Sequence, residues 1–372
     1  MNTDFSSILC VADLNITDAL DKCLEDMALP EVFIQRAKQM CLVDKQGFLG
    51  LRPVTKLEEN RALLYRINVP SKYGEGVMSR IIETTDLQMG GRGCIFETPV
   101  CFHRPEDISF DIEKLERLCG GVEKIPREDH TLLSCIVPRG LGDSLARAVL
   151  ERGVCVPIVF FGTGVGIRDR LGLMRITVPV EKEVIWFIVP RTDSNHLEKT
   201  IIAKARLDVP GQGFLYKFFI RAPVVNLRVR YGKRIHAATM EQVIAALDEV
   251  SGSSEWRRFG SRMTKLHDEN KSDNTRALFF IGEDEDVETF RRMAMENGAR
   301  GATLNEVDMR SYAARKAEQV MESRSRSLCD IVTSRAVEEK LLENIRGTNL
   351  FDPGKSWVLK TFDVELSPVI QR

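Results

Sequence analysis

Short apolar runs of strand length alternate along this chain with stretches in which apolar residues recur every three or four positions. The run 182–190, KEVIWFIVP, is rich in β-branched and aromatic residues and ends at a proline, which is typical of a strand. The stretch 194–207, SNHLEKTIIAKARL, has helical spacing, and Asn195 with Glu198 is typical of a helix start. These patterns predict a mixed chain of strands and helices.

The middle of the chain predicts the order β-α-β-β-α-β, because a strand at 131–140, a short helix and the strand VCVPIVFFGTG precede the run at 182. This order is that of the split βαβ or ferredoxin-like unit. The same order is predicted near both ends, and about 80 residues separate the first strand from a glycine turn each time. The chain is therefore predicted to divide into repeat 1 (1–107), a helical linker (108–130), repeat 2 (131–250), a polar linker (251–275) and repeat 3 (276–372).

An open four-stranded sheet in each repeat would leave one face to be covered. Three such sheets can cover these faces by packing around a common axis. The predicted fold class is therefore α+β, with three tandem ferredoxin-like (βαββαβ) units packed as a single-chain pseudo-trimer. A chain of this kind is expected to be a monomer.

Composition narrows the class of protein. The 372 residues carry a formal net charge of −1, which gives no general attraction to nucleic acid or to an anionic membrane. The N-terminus lacks a signal-peptide pattern, and no apolar run approaches the roughly 18 residues that span a bilayer. Nine cysteines without a C-x-x-C pair favour a reducing compartment. We expect a cytoplasmic protein that neither binds nucleic acid nor inserts into a membrane.

The stretch 210–232, PGQGFLYKFFIRAPVVNLRVRYG, carries the main candidate chemistry. Gly211 and Gly213 favour a tight turn or a close approach of the backbone to a ligand. Arg228 and Arg230 share a face if the chain is extended there. The alternative is a hairpin loop followed by a solvated strand end.

The second repeat resembles the PII nitrogen-regulatory and PII-like signalling proteins. ARLDVPGQGFLYKFFI is similar to the glycine-containing B-loop of that family and its following strand, and RVRYG is similar to the family's R-x-R segment. GTGVGIRDRLGLMRITVPVEKEVIWFIVP resembles a PII-like variant around the T-loop. The resemblance implies three PII-like units in one chain and adenine nucleotides bound in clefts between neighbouring units.

The resemblance also implies roles for particular residues, but no repeat has the full set. Repeat 2 has Gly211, Gly213, Arg228 and Arg230, with Phe214 where the family has a lysine. Repeat 3 has the remaining candidates, Gly354 and Lys355, and repeat 1 has two glycines followed by Cys94. One cleft could be complete if Lys355 faces Arg228 and Arg230. The alternative is that these residues are remnants and the arginines pair with surface carboxylates.

A second glycine-rich stretch contains Gly162 and Gly164, which could cradle a phosphate or a carboxylate or could form an ordinary tight loop. The sequence contains no nucleophile–base pair, metal-ligand spacing or Walker-type loop, so no enzymatic role is predicted. The resemblance implies a regulatory protein with no tightly bound cofactor. It would sense ATP, ADP, AMP or another small anion and act on a protein target, a transporter or an enzyme. The alternatives are a ligand-free protein-binding or assembly module and an enzyme domain that uses the same fold.

Overall fold

The computed structural model describes residues 5–45, 54–103, 109–121, 128–166, 181–231, 274–313, 323–348, 350 and 355–367. The described strands form one 15-stranded sheet. Their bounds are β1 Phe5–Asp13, β2 Val32–Lys45, β3 Val54–Pro70, β4 Gly93–Thr98, β5 Cys101–His103, β6 Glu128–Pro138, β7 Ile158–Gly166, β8 Glu181–Pro190, β9 Phe214–Val224, β10 Arg230–Tyr231, β11 Thr275–Gly282, β12 Gly301–Arg310, β13 Ser323–Ser334, β14 Val358–Asp363 and β15 Glu365–Leu366.

Seven α-helices occur in the described ranges. They are α1 Thr17–Asp26, α2 Gly74–Thr85, α3 Ile112–Cys119, α4 Gly142–Leu150, α5 Ser194–Ala205, α6 Asp284–Glu296 and α7 Arg335–Ile345. We call β1–β4 with α1 and α2 the first segment, β6–β10 with α4 and α5 the second, and β11–β14 with α6 and α7 the third. In the part of the chain that the structure describes, no helix is long and apolar enough to cross a membrane.

Nine strands close into a ring. Their order is β2-β3-β1-β4-β9-β6-β8-β7-β12, and β12 pairs back onto β2 through Asp308↔Ile34 and Arg310↔Val32. These pairs are antiparallel. The remaining strands of the third segment continue the sheet from β12, and β10 and β15 add short pairings to β2 and β9.

The predicted fold class is wrong. The chain does not form three tandem ferredoxin-like, PII-like units that pack as a pseudo-trimer of separate sheets, because strands of all three segments join edge to edge into one closed nine-stranded antiparallel ring. The physical reason is that an open edge has unpaired N–H and C=O groups. The edges here satisfy one another, β4 with β9, β7 with β12 and β12 with β2. The predicted linker at 251–275 falls almost entirely outside the described residues, and the predicted domain limits stay a prediction.

The two faces of the sheet have separate cores. Each helix pair covers the outer face of its own segment, with α1 and α2 on the first, α4 and α5 on the second and α6 and α7 on the third. The inner face is lined by a common apolar cluster to which all three segments contribute, including Leu64, Phe160, Trp186, Tyr216 and Phe279. The inner cluster therefore ties the three segments together by side-chain packing as well as by strand pairing.

We predict that this 372-residue chain is a monomer near 42 kDa in solution. The ring closes within one chain, and its inner face is covered by side chains of that chain. Light scattering coupled to size-exclusion chromatography tests this expectation. A stable trimer of the whole chain at micromolar concentration would contradict it.

Candidate functional site

The arginine pair lies at the end of the second segment, where the chain crosses to the first. Arg230 and Tyr231 form β10, which runs parallel to β2 and pairs with Leu42 and Val43. The backbone N–H of Leu42 also donates to the carbonyl of Val229 at 2.9 Å. Backbone hydrogen bonds therefore fix the position of the R-x-R segment against the first segment.

The neighbour of this segment is the glycine turn 90–93, which connects α2 to β4. Gly91 has a φ of 95°, a conformation that favours glycine. Its N–H donates to the side-chain oxygen of Asn226 at 3.1 Å. A Cβ at Gly91 would lie 2.4 Å from the hydroxyl of Tyr231. The glycine therefore allows the second segment to pack directly against the turn.

Arg228 extends over the same turn and is exposed. Its guanidinium carbon lies 4.2 Å from the ring centroid of Tyr231, a cation–π arrangement. Its Nη1 donates to the carbonyl of Gly90 at 3.4 Å, which is long for a hydrogen bond. We call the surface formed by the turn 90–93, Arg228 and Tyr231 the Arg228 cleft.

Arg230 is held by a carboxylate of the chain itself. Its Nε and Nη2 donate to the two oxygens of Asp44 at 3.0 and 2.7 Å, and Nη2 also donates to Thr55 Oγ1 at 2.8 Å. The Asp44 side chain is 8% exposed. The bidentate pair neutralises the charge of Arg230.

The first segment has no cation at the position where the resemblance requires lysine. Cys94 occupies it, is buried, and has a pKa raised to about 12 by burial. The thiol is therefore neutral at physiological pH. A second cation near the turn is Arg92, whose Nη1 donates to the carbonyl of Thr85 at 2.7 Å and lies 3.3 Å from Asp86.

Lys355 lies against the third segment. Its Nζ is 2.6 Å from Asp286 Oδ1 in the first turn of α6. Gly354, the other candidate from this repeat, falls outside the described residues.

The structure does not bring Lys355 together with the arginine pair. Ser356, the next residue after Lys355, donates its hydroxyl to Glu31 Oε1 at 2.8 Å, just before β2 begins. Arg230 pairs with Leu42, which lies near the other end of β2. Leu42 follows Glu31 by eleven positions of extended strand. At roughly 3.3 Å per position this is roughly 35 Å, which is more than two side chains can span.

The glycine turn of the second segment contains Gly211 and Gly213, which have φ values of 90° and 127°. A Cβ at Gly213 would lie 2.1 Å from the carbonyl oxygen of Ile136 on β6. The C-terminal strand β15 pairs with β9 beyond this turn, at Lys217 and Tyr216. Gly213 therefore allows close backbone packing against β6, and Gly211 supplies the positive φ of the turn.

Gly162 and Gly164 lie in β7, not in a loop, and the latter pairs with Thr303 of β12. A Cβ at Gly162 would lie 2.7 Å from Asn305 Oδ1, and a Cβ at Gly164 would lie 2.7 Å from Lys182 Cε. The absence of a side chain at Gly162 thus lets β7 approach β12 where the second and third segments join, whereas at Gly164 it leaves room for the Lys182 side chain of β8.

Sequence reasoning missed the residues that hold the cleft together. Asn226 and Tyr231 lie in the stretch NLRVRYG, next to the arginine pair. Their position in the sequence is a signal that could have identified them as residues that orient the arginines. Asp44 and Thr55 have no such signal, since each is one polar residue among many near the ends of long strands. In the described ranges, no cluster of His, Cys, Asp and Glu could hold a metal ion.

Comparisons with known protein families, curated proteins and solved structures found no match to this chain. The resemblance to PII-like proteins therefore stays a prediction.

We predict that Gly91→Ala destabilises the protein more than Gly140→Ala does. Both glycines have a positive φ, 95° and 98°, so alanine strains the backbone equally, by about 1–3 kcal/mol. A Cβ at Gly140 has no neighbour within 4 Å, whereas one at Gly91 would collide with the Tyr231 hydroxyl. The free energy of unfolding, measured by urea denaturation, should differ by a further 1–3 kcal/mol or so.

Tyr231→Phe provides the control, because it removes the colliding oxygen. The double variant Gly91→Ala/Tyr231→Phe should recover most of the extra loss, which a double-mutant cycle detects. Equal losses for the two glycine variants would show that Tyr231 does not pack against the turn.

Proposed function

We propose that the protein is a non-enzymatic regulatory protein that binds a small anionic metabolite in the Arg228 cleft. The observation that carries the proposal is the placement of an exposed guanidinium over a glycine turn of another segment, with a long hydrogen bond to that turn. A phosphate or carboxylate offers Arg228 stronger, bidentate hydrogen bonds than one peptide carbonyl does.

The surroundings of Arg228 suit an anionic ligand. The Tyr231 ring supports one face of the guanidinium, which orients its donors. Arg92 of the same turn has a side chain 35% exposed, and its positive charge is partly balanced by Asp86, 3.3 Å away. The lack of a side chain at Gly90 and Gly91 lets a ligand approach the backbone closely.

An adenine nucleotide is the first candidate ligand, because the glycine turn and the R-x-R segment resemble those of PII-like proteins. The two motifs do meet across segments, although the turn comes from the first segment and not from the lysine-containing third. By the same resemblance, the liganded protein acts in the cytoplasm on a partner protein, a transporter or an enzyme.

A ligand-free docking module is the second candidate. Two groups that an anion would need are already used within the chain, since Asp44 holds Arg230 and Asn226 accepts from the N–H of Gly91. In that case the glycine turn and the strand β10 serve to hold the first and second segments together, and the protein acts through its surface.

A thermal-shift and calorimetry series with ATP, ADP, AMP and inorganic phosphate tests the proposal. We expect at least one of them to stabilise the protein, by about 2.7 kcal/mol at 100 times its dissociation constant. Arg228→Ala should weaken that binding about tenfold to a hundredfold, because it removes one charge-assisted contact.

Arg292→Ala is the matched control, because Arg292 is an exposed arginine on α6 in the third segment. Its removal changes the net charge equally and should leave affinity unchanged. If no anion binds, or if both variants bind equally well, the Arg228 cleft is not a ligand site and the docking module is favoured.

A further inference from the structure

Three buried ionisable side chains lie on the inner face of the sheet among mostly apolar residues. Arg66 on β3, Asp330 on β13 and Lys360 on β14 are 3%, 8% and 3% exposed. Burial of a charge is unfavourable unless a partner of opposite sign and hydrogen bonds compensate it. We call these three residues the interior charge cluster.

Strand pairing places Arg66 and Asp330 on the inner face of the sheet, because residues directly opposite each other in a pair point to the same face. Arg66 lies opposite Leu9, Trp186 opposite Ser134, and Asp330 opposite Phe279. The Arg66 guanidinium carbon lies 5.5 Å from the Trp186 ring centroid and 5.8 Å from that of Phe279. Arg66 therefore reaches side chains of the second and third segments.

The hydrogen bonds of the cluster are incomplete. Asp330 Oδ2 accepts from the Tyr216 hydroxyl at 3.0 Å, and Arg66 Nη2 donates to Gln35 Oε1 at 3.0 Å. Arg66 Nε and Asp330 Oδ1 are buried without a hydrogen-bond partner among the described residues. No ion pair of the described residues joins Arg66 to Asp330, so Arg66 compensates a charge on Asp330 incompletely.

Lys360 adds positive charge to the same core. Its Nζ donates to Ser7 Oγ at 2.8 Å and is near the ring of Phe102, 5.9 Å from the centroid. Glu31 is the acidic group that favours its charge, and Arg66 opposes it. Lys360 and Arg66 thus add two positive charges to the core, and each donates to a neutral hydrogen-bond partner.

We propose that Asp330 is a buried proton-binding site at which acidification strengthens the closed ring and a rise in pH through neutrality weakens it. The groups that face Asp330 are Arg66 from β3 and Tyr216 from β9, while its strand neighbours on β11 and β12, Phe279 and Thr303, are not ionisable. Protonation removes the uncompensated charge from the apolar core and leaves a hydroxyl that can donate.

The electrostatics of the site support this direction. Burial raises the pKa of Asp330 to about 7, against the lowering effects of the Tyr216 hydrogen bond and the Arg66 charge. Since the unfolded pKa is about 3.9, the folded state holds the extra proton between these values. The stability contributed by this group is thus present below about pH 4, falls as the pH rises to about 7, and stays low above it.

Lys360 acts in the opposite pH range. Burial, and then the charge of Arg66, lowers its pKa to about 7. Its unfolded pKa is about 10.4, so the unfolded state binds the extra proton between these values. Stability contributed by this group therefore rises from about pH 7 to about pH 10. Together the two residues contribute least near neutral pH.

Urea denaturation at intervals between pH 4 and pH 8 tests the proposal with the 372-residue chain. Relative to wild type, Asp330→Asn should gain stability as the pH rises, by at most tenfold in the unfolding equilibrium constant per pH unit, because one proton is involved. Asp308→Asn is the control, since Asp308 is exposed on the neighbouring strand β12. Its curve should run parallel to wild type.

Lys360→Met supplies a second arm between pH 7 and pH 10, where the variant should lose stability relative to wild type. Infrared spectroscopy of the folded wild type provides a measurement that needs no variant. It should show a protonated carboxyl C=O stretch at pH 6 that disappears by about pH 8. An Asp330→Asn curve parallel to wild type, or the absence of that infrared band if the variant does not fold, would overturn the proposal.

Discussion

The hydrogen bonds between the edge strands of the three segments are the constraint on which the rest of the structure depends. An isolated segment would expose one unpaired strand at each side of its sheet, and exposed edges favour association with other chains. Strand β2 is the centre of the closure. It pairs with β3 of its own segment and also with β7, β10 and β12 of the other two.

Closure of the ring determines what the candidate site can be. Because β10 pairs with β2, Arg228 lies over the glycine turn of the first segment, and Arg230 lies beside Asp44. The same register keeps the arginines far from Lys355, which the third segment holds against Asp286. The Arg228 cleft is therefore a product of how segments pair, and a ligand there would contact both of them.

The interior of the closed ring also contains charged side chains among the apolar ones. The three segments contribute Arg66, Trp186 and Asp330. A buried charge pair replaced by apolar residues of similar volume often costs no stability, so such groups are weak evidence for stability. Because these residues lie on different segments, two segments could not exchange places in the ring without moving the buried charges.

Local structure followed from the sequence where a pattern was strong. The continuous apolar run at 182–190 forms β8, and the helically spaced stretch from Ser194 forms α5, because β-branched and aromatic content and helical spacing act over short distances. The glycine turn before β9 has the positive φ values that two glycines allow. These features depend on neighbours along the chain.

Tertiary structure alone decided the fold class and the partners of the candidate residues. Periodicity shows that β4, β7 and β12 are strands, but it does not show which edge pairs with which, since any exposed edge offers the same backbone groups. For the same reason the sequence pattern suggested a loop at Gly162 and Gly164, although these residues lie where β7 meets β12. Asp44 and Arg230 are 186 positions apart in the chain, and the closed sheet brings them within hydrogen-bonding distance. The sequence determined which residues are present, whereas closure of the ring determined which of them are in contact.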